Sequence, residues 1–181
     1  VRGSLRVYEF IAKQISTVGG SEILSIANGK IESVNAGAET STITLDWFDT
    51  TSGGTGTPRT SFKVGDLWIV QEVDINNDKE SGGSGAIVKS VNGRVTEVNS
   101  NVITVEVDGG SASDLEQGDL VVAYGNISDA NRQAIMYRNV DREEDNLIMR
   151  LQTGVNEFSK LQAVGNTRVA FGDLNGYSSL S

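Results

Sequence analysis

The amino-acid sequence predicts a mainly β protein: a short N-terminal helix, then two related small β-barrel or sheet units, then a C-terminal antiparallel β segment. Three observations carry that expectation. Glycine is frequent, at 21 residues against one proline, a balance that suits short strands joined by turns needing positive φ. Runs such as Thr42-Ile43-Thr44-Leu45 and Val102-Ile103-Thr104-Val105 alternate in the manner of half-buried strands. These runs also recur with the same neighbours in the same order, which reads as a duplication.

Residues 1–20 depart from the β pattern. Tyr8, Ile11, Ile15 and Val18 follow at spacings of three, four and three, which is one face of a helix, and Gly19-Gly20 supplies a stop signal. Such a stripe either docks the helix on its own domain or forms a short oligomer interface between identical chains, because the spacing is also that of a heptad. A strand over residues 5–10 is a third reading of the same segment.

Residues 21–85 and 86–125 form the two related units. The first carries Asn28-Gly29-Lys30-Ile31, Val34-Asn35, Thr42-Ile43-Thr44-Leu45-Asp46 and Gly65-Asp66-Leu67. The second carries Asn92-Gly93-Arg94-Val95, Val98-Asn99, Val102-Ile103-Thr104-Val105-Glu106 and Gly118-Asp119-Leu120. Asn-Gly is expected at positive-φ turns, and the Val/Ile/Thr runs at strands. Whether the units make separate barrels or one continuous sheet is not decided by the repeat.

The copies differ by insertions. Residues 49–60 of the first copy are a polar, glycine-rich stretch expected to form a long exposed loop. Trp47, Phe48 and Trp68 lie near its ends; they either fill the core or form a ligand-binding surface on which a sugar ring stacks. Residues 74–85 form a linker whose Asp74, Asn76 and Asp78 have calcium-loop spacing. Lys79 stands where that loop needs glycine, and Gly85 where it needs a bidentate carboxylate, so a solvated turn is expected and no metal site.

Residues 126–181 read as further short strands, clearest at 147–151 and 167–171. The charged run 141–145 before the first of these is expected to be a wet loop.

Composition restricts the chemistry. There is no His and no Cys, which excludes disulfides, thiol nucleophiles, imidazole acid–base catalysis and thiolate or imidazole zinc sites. No phosphate-binding loop is present, so no catalytic residue and no cofactor is expected. A net charge of −9 opposes nucleic-acid binding. No apolar run approaches the roughly 20 residues of a membrane span. The chain starts at Val1 and not at Met, which fits a segment of a longer protein.

Three segments resemble a known family. Val1-Arg2-Gly3-Ser4-Leu5-Arg6-Val7-Tyr8-Glu9-Phe10 with Gln14-Ile15 is similar to the opening of phage tail and tail-tip minor structural proteins of prophages in Bacteroides-like bacteria. Gly118-Asp119-Leu120-Val121-Val122, Gly125-Asn126 and Asn131-Arg132-Gln133-Ala134 resemble a later stretch of that family. Arg168-Val169-Ala170-Phe171-Gly172-Asp173-Leu174-Asn175-Gly176 resembles its closing strand and turn, while residues 36–90 show no match. The resemblance implies a non-catalytic structural protein of the virion tail, made in the bacterial cytoplasm and supporting host attachment. Its implied partners are its own copies, as a homotrimer, other tail proteins and a host surface glycan. It also implies that Arg132 and Gln133 organise a turn or a subunit contact. The alternative function is a carbohydrate- or receptor-binding β module of a cell-surface or secreted bacterial protein.

Overall fold

A computed structural model of the chain describes residues 15–18, 21–46, 59–73, 87–138, 148–161 and 163–172. Their strands are β1 (Ile15–Val18), β2 (Ser21–Leu24), β3 (Asn28–Asn35), β4 (Ser41–Leu45), β5 (Asp66–Val73) and β6 (Ile87–Asn99). They continue with β7 (Val102–Gly109), β8 (Leu120–Asn126), β9 (Ile135–Arg138), β10 (Ile148–Gln152) and β11 (Thr167–Gly172). Strands β3-β4-β7-β6-β5-β8 close into a barrel, and β1-β2-β9-β10-β11 make a five-stranded sheet. The described residues are therefore mainly β.

The duplicated units interleave in a single barrel. Exchanging β3, β4 and β5 for β6, β7 and β8 returns the same circular strand order, so the barrel has a pseudo-two-fold axis. Ile43 pairs with Ile103, its own repeat counterpart, where the axis crosses β4 and β7. Ile69 pairs with Val122, again counterparts, where it leaves between β5 and β8.

The buried core obeys the same symmetry. Its described members pair off without remainder: Ala27 with Val91, Ile31 with Val95, Ile43 with Ile103, Leu45 with Val105, Phe62 with Leu115, Trp68 with Val121, and Val70 with Ala123. Backbone bonds repeat as well, Gly65 N–H to the Val95 carbonyl and Gly118 N–H to the Ile31 carbonyl, both at 2.8 Å. One half cannot bury its strands alone, because each face is completed by the other half's strands.

Strands β5 and β8 are buried on both sides, which explains the continuous apolar runs Leu67-Trp68-Ile69-Val70 and Leu120-Val121-Val122-Ala123-Tyr124. Trp68, Val70, Val121 and Ala123 face the barrel interior. Leu67, Ile69, Val122 and Tyr124 face outward, onto Ile23, Ile135, Tyr137 and Val155 of the segments that cover the barrel. The covering sheet joins the two ends of the described chain, since β2 pairs antiparallel with β9. The barrel is thus inserted between two neighbouring strands of one sheet.

Two sequence expectations are corrected. The N-terminal helix is not supported: Ile15–Val18 is a strand paired with Ser21–Leu24, and the helical segments described are three-residue 3-10 turns. Ile15, Thr17 and Val18 are β-branched and prefer a pleated surface, so Gly19-Gly20 separates two strands in sequence and does not stop a helix. Tyr8 and Ile11 lie outside the described residues. The Asn-Gly pairs are also not turns. Both sit inside strands, at the point where β3 and β6 change partners: Asn28–Lys30 pairs with β8 and Ile31–Asn35 with β4, while β6 passes from β5 to β7. Glycine serves there for close approach, because a Cβ on Gly93 would lie 1.9 Å from the Glu106 carbonyl oxygen. Among the glycines of the repeat landmarks, positive φ belongs instead to Gly65 (φ 84°) and Gly118 (φ 103°) of the two Gly-Asp turns.

Candidate functional site

The Gly-Asp turns are built identically. In each, the aspartate Oδ2 accepts the backbone N–H three residues upstream at 2.8 Å, Lys63 to Asp66 and Glu116 to Asp119. Each aspartate then holds a cation from elsewhere in the chain. Asp66, fully buried, receives Arg132 Nε at 2.7 Å and Nη2 at 2.6 Å, together with Asn126 Nδ2 at 2.9 Å. Arg132 Nη2 also donates to the Ser61 carbonyl at 2.9 Å. Asp119 receives Lys89 Nζ at 2.9 and 3.1 Å, with Glu72 at 3.3 Å from the same ammonium. Burial opposes charge on Lys89, yet the bonds to Asp119 and Glu72 outweigh it and raise its pKa above 10.5. These are satisfied, closed arrangements that stitch the barrel. Arg132 locks the segment leading into β9 onto the barrel.

Tyr124 is buried on the outward side of β8, edge-on to Phe158 with ring centroids 5.8 Å apart. Burial, with a contribution from Asp108, holds its hydroxyl well above the ordinary phenol range.

The outer face of the five-stranded sheet is of a different kind. Along β10, Met149 and Leu151 are exposed while Arg150 and Gln152 are buried, the reverse of the usual half-buried strand. The exposed residues line up across strands. Leu24 is opposite Met136, Met136 opposite Leu151, and Leu151 opposite Val169. A second row places Arg138 opposite Met149 and Met149 opposite Phe171, which is 67% exposed. The apolar residues are contiguous and in register, and the second row ends on Arg138 opposite Glu22.

A polar groove lies at one end of the barrel, between the β3–β4 connection and the segment after β7. It encloses about 360 Å³ and is lined by small residues that include Gly37, Ser41, Ser111 and Ser113, with Glu39 at its edge. Ser41 accepts the Gly37 N–H at 3.2 Å, and the Ser111 and Ser113 hydroxyls are 2.8 Å apart.

No family model, curated protein or solved structure matches this chain.

Of the residues expected in a ligand site, Trp68 is fully buried in the barrel core, where no ring face is open to a sugar. Trp47 and Phe48 lie outside the described residues, as do residues 49–58, 74–85 and 141–145. Of the expected oligomer seam, Ile15 is the Cα partner of Leu24 and Val18 that of Ser21. Ile15 therefore falls in the same cross-strand row as Met136 and Leu151. The apolar face was missed from sequence, although Met149-Arg150-Leu151-Gln152 carries the alternation that makes it. Alternation alone assigns the apolar set inward. Among the described residues no group of His, Cys, Asp or Glu is arranged to hold a metal ion, and no helix is long and apolar enough to cross a membrane.

Proposed function

We propose that the chain is a non-catalytic assembly module of a bacteriophage tail or tail tip. The observation that carries the assembly part is the outer sheet face, where Leu24, Met136, Met149, Leu151, Val169 and Phe171 are left to solvent while Arg150 and Gln152 are turned inward. A contiguous apolar surface of this kind marks an interaction site. The fully satisfied Asp66–Arg132 and Asp119–Lys89 pairs support a rigid scaffold, not a reactive centre. The tail part is supported by the three sequence segments that resemble tail proteins. It places the protein in the virion, with other tail proteins and, at the tip, a host surface glycan as its partners.

The test is to induce particles from a strain encoding the chain, purify them, separate tails from heads and identify the proteins by peptide mass spectrometry. Stoichiometric recovery with the tails is the expected result. Absence from purified particles sinks the tail assignment.

A second reading, a carbohydrate- or receptor-binding module, is favoured by the groove at Ser41, Ser111 and Ser113, whose hydroxyls and backbone could address a hydroxylated ligand. Ser111→Trp, which fills the groove, should then abolish binding to host surface polysaccharide. Unchanged binding removes the groove from consideration.

A further inference from the structure

We propose that a second copy of this chain packs on the outer face of the β2-β9-β10-β11 sheet, about a two-fold axis that passes over the Met136–Leu151 pair. The inference rests on reading the chain as an assembly module and names its partner. Three observations converge on a second copy.

The first is area. The six exposed side chains of this face are 37–67% accessible, which corresponds to roughly 500 Å² of apolar surface. A standard interface buries about 800 Å² per partner, and about 65% of a homodimer interface is apolar. The patch has the size of one such apolar centre, with a polar rim left over.

The second is charge. Each copy carries a net charge of −9, and Glu32, Glu97, Asp108 and Glu116 stand exposed on the barrel and its turns. Bringing two copies together there stacks carboxylates. On the outer sheet face the two rows carry one charged residue of each sign, Arg138 and its Cα partner Glu22, at the same end of the second row. Arg138 is two residues along β9 from Met136, so a two-fold that lies between the sheets, crosses the strands and passes over Met136–Leu151 sets the two Arg138–Glu22 pairs on opposite sides of that axis. The face is thus free of like-charge conflict in this arrangement.

The third is shape. Aligned sheets pack face to face at about 10 Å with interdigitated side chains. The rows Leu24–Met136–Leu151–Val169 and Met149–Phe171 supply such a layer from one side only. A second copy supplies the other side with the same residues. Methionine at the centre adapts to small misfits.

The absence of Cys from the whole chain makes a clean test. Sedimentation equilibrium of the full chain should give a dimer in the micromolar range, and Leu151→Glu should give a monomer with an unchanged circular-dichroism melt. Leu151→Cys treated with a short bis-maleimide should yield a covalent dimer, while Glu97→Cys on the barrel should not. Should Leu151→Glu alter the melt, the Leu151→Cys and Glu97→Cys pair decides alone. A monomer at 100-fold higher concentration, a trimer, a Leu151→Glu dimer, or equal cross-linking at both positions overturns the proposal. A monomeric wild-type chain whose Leu151→Glu variant no longer enters particles overturns the second copy and leaves the assembly module standing. A dimer through this face in a chain absent from purified tails does the reverse.

Discussion

Arg132 grips Asp66 with both arms of its guanidinium, at 2.7 and 2.6 Å, and so ties the segment before β9 to the first Gly-Asp turn. Asp66 is fully buried. Removing Arg132 leaves a buried carboxylate with two neutral donors, Lys63 N–H and Asn126 Nδ2. Arg132→Met should therefore cost about 3–5 kcal/mol in urea denaturation. Arg132→Lys should recover little, because a point charge cannot make the two parallel bonds. Lys89→Met should cost less, since its partner Asp119 keeps 14% of its side chain exposed.

Trp68 fills the barrel interior with its Nε1 buried and without a partner. An unpaired buried donor costs about 1–3 kcal/mol, and deleting the whole ring costs about 3–5 kcal/mol. Trp68→Phe should thus be tolerated within about 1.5 kcal/mol while Trp68→Ala is severe. Chemical denaturation of the two variants checks the order. A Trp68→Phe loss as large as that of Trp68→Ala contradicts it.

The two Asn-Gly sites should respond differently to a methyl group. At Gly93 the added Cβ meets the Glu106 backbone at 1.9 Å, whereas at Gly29 it meets only the end of Leu45, at 3.0 Å. Gly93→Ala should cost at least about 2 kcal/mol, and Gly29→Ala less. Gly165→Ala, with nothing within 4 Å, should fall within about 0.5 kcal/mol of wild type. Thermal melts of the three variants rank them.

Alkaline pH should destabilise the fold through two groups. Lys89 has its folded pKa raised above 10.5, so its ion pairs contribute fully below that value and are lost as pH rises through the folded pKa. Tyr124 has its folded pKa raised above 10.0, so above pH 10 the unfolded chain releases a proton that the folded chain retains. Both signs favour unfolding as pH rises. Stability should fall from about pH 10, with a slope approaching 1.4 kcal/mol per pH unit from Tyr124 and a further contribution of the same sign from Lys89. Tyr124→Phe should flatten that limb, and urea titrations between pH 8 and 11 on the two proteins measure it.

The sequence carried the β class well. The clearest C-terminal segments are β10 and β11, neighbours in one sheet. The repeat landmarks mark equivalent places in the barrel, since Val/Ile/Thr alternation and Gly-Asp turns act over a few residues. The helix expected over residues 1–20 is not supported where that segment is described, at Ile15–Val18, because a three-residue spacing in a short segment is compatible with either element and pairing with Ser21–Leu24 decides between them. The Asn-Gly sites failed for a related reason. Glycine at a turn and glycine at a close strand crossing look the same until the crossing strand is in place.

The candidate face was the least legible part. Met149-Arg150-Leu151-Gln152 fixes which residues share a side, because successive side chains of a strand alternate. It does not say which side meets the barrel. That choice depends on what packs beneath, where buried Gln152 donates to the Ala163 carbonyl of a later segment. By itself, then, the sequence determined a β protein with a two-fold internal repeat and no thiol or imidazole chemistry, since composition and local alternation suffice for these. Tertiary structure alone decided that the repeats share one barrel, that the flanking strands form one sheet, and that β10 turns its apolar side to solvent. Each of these depends on contacts between residues far apart in the chain.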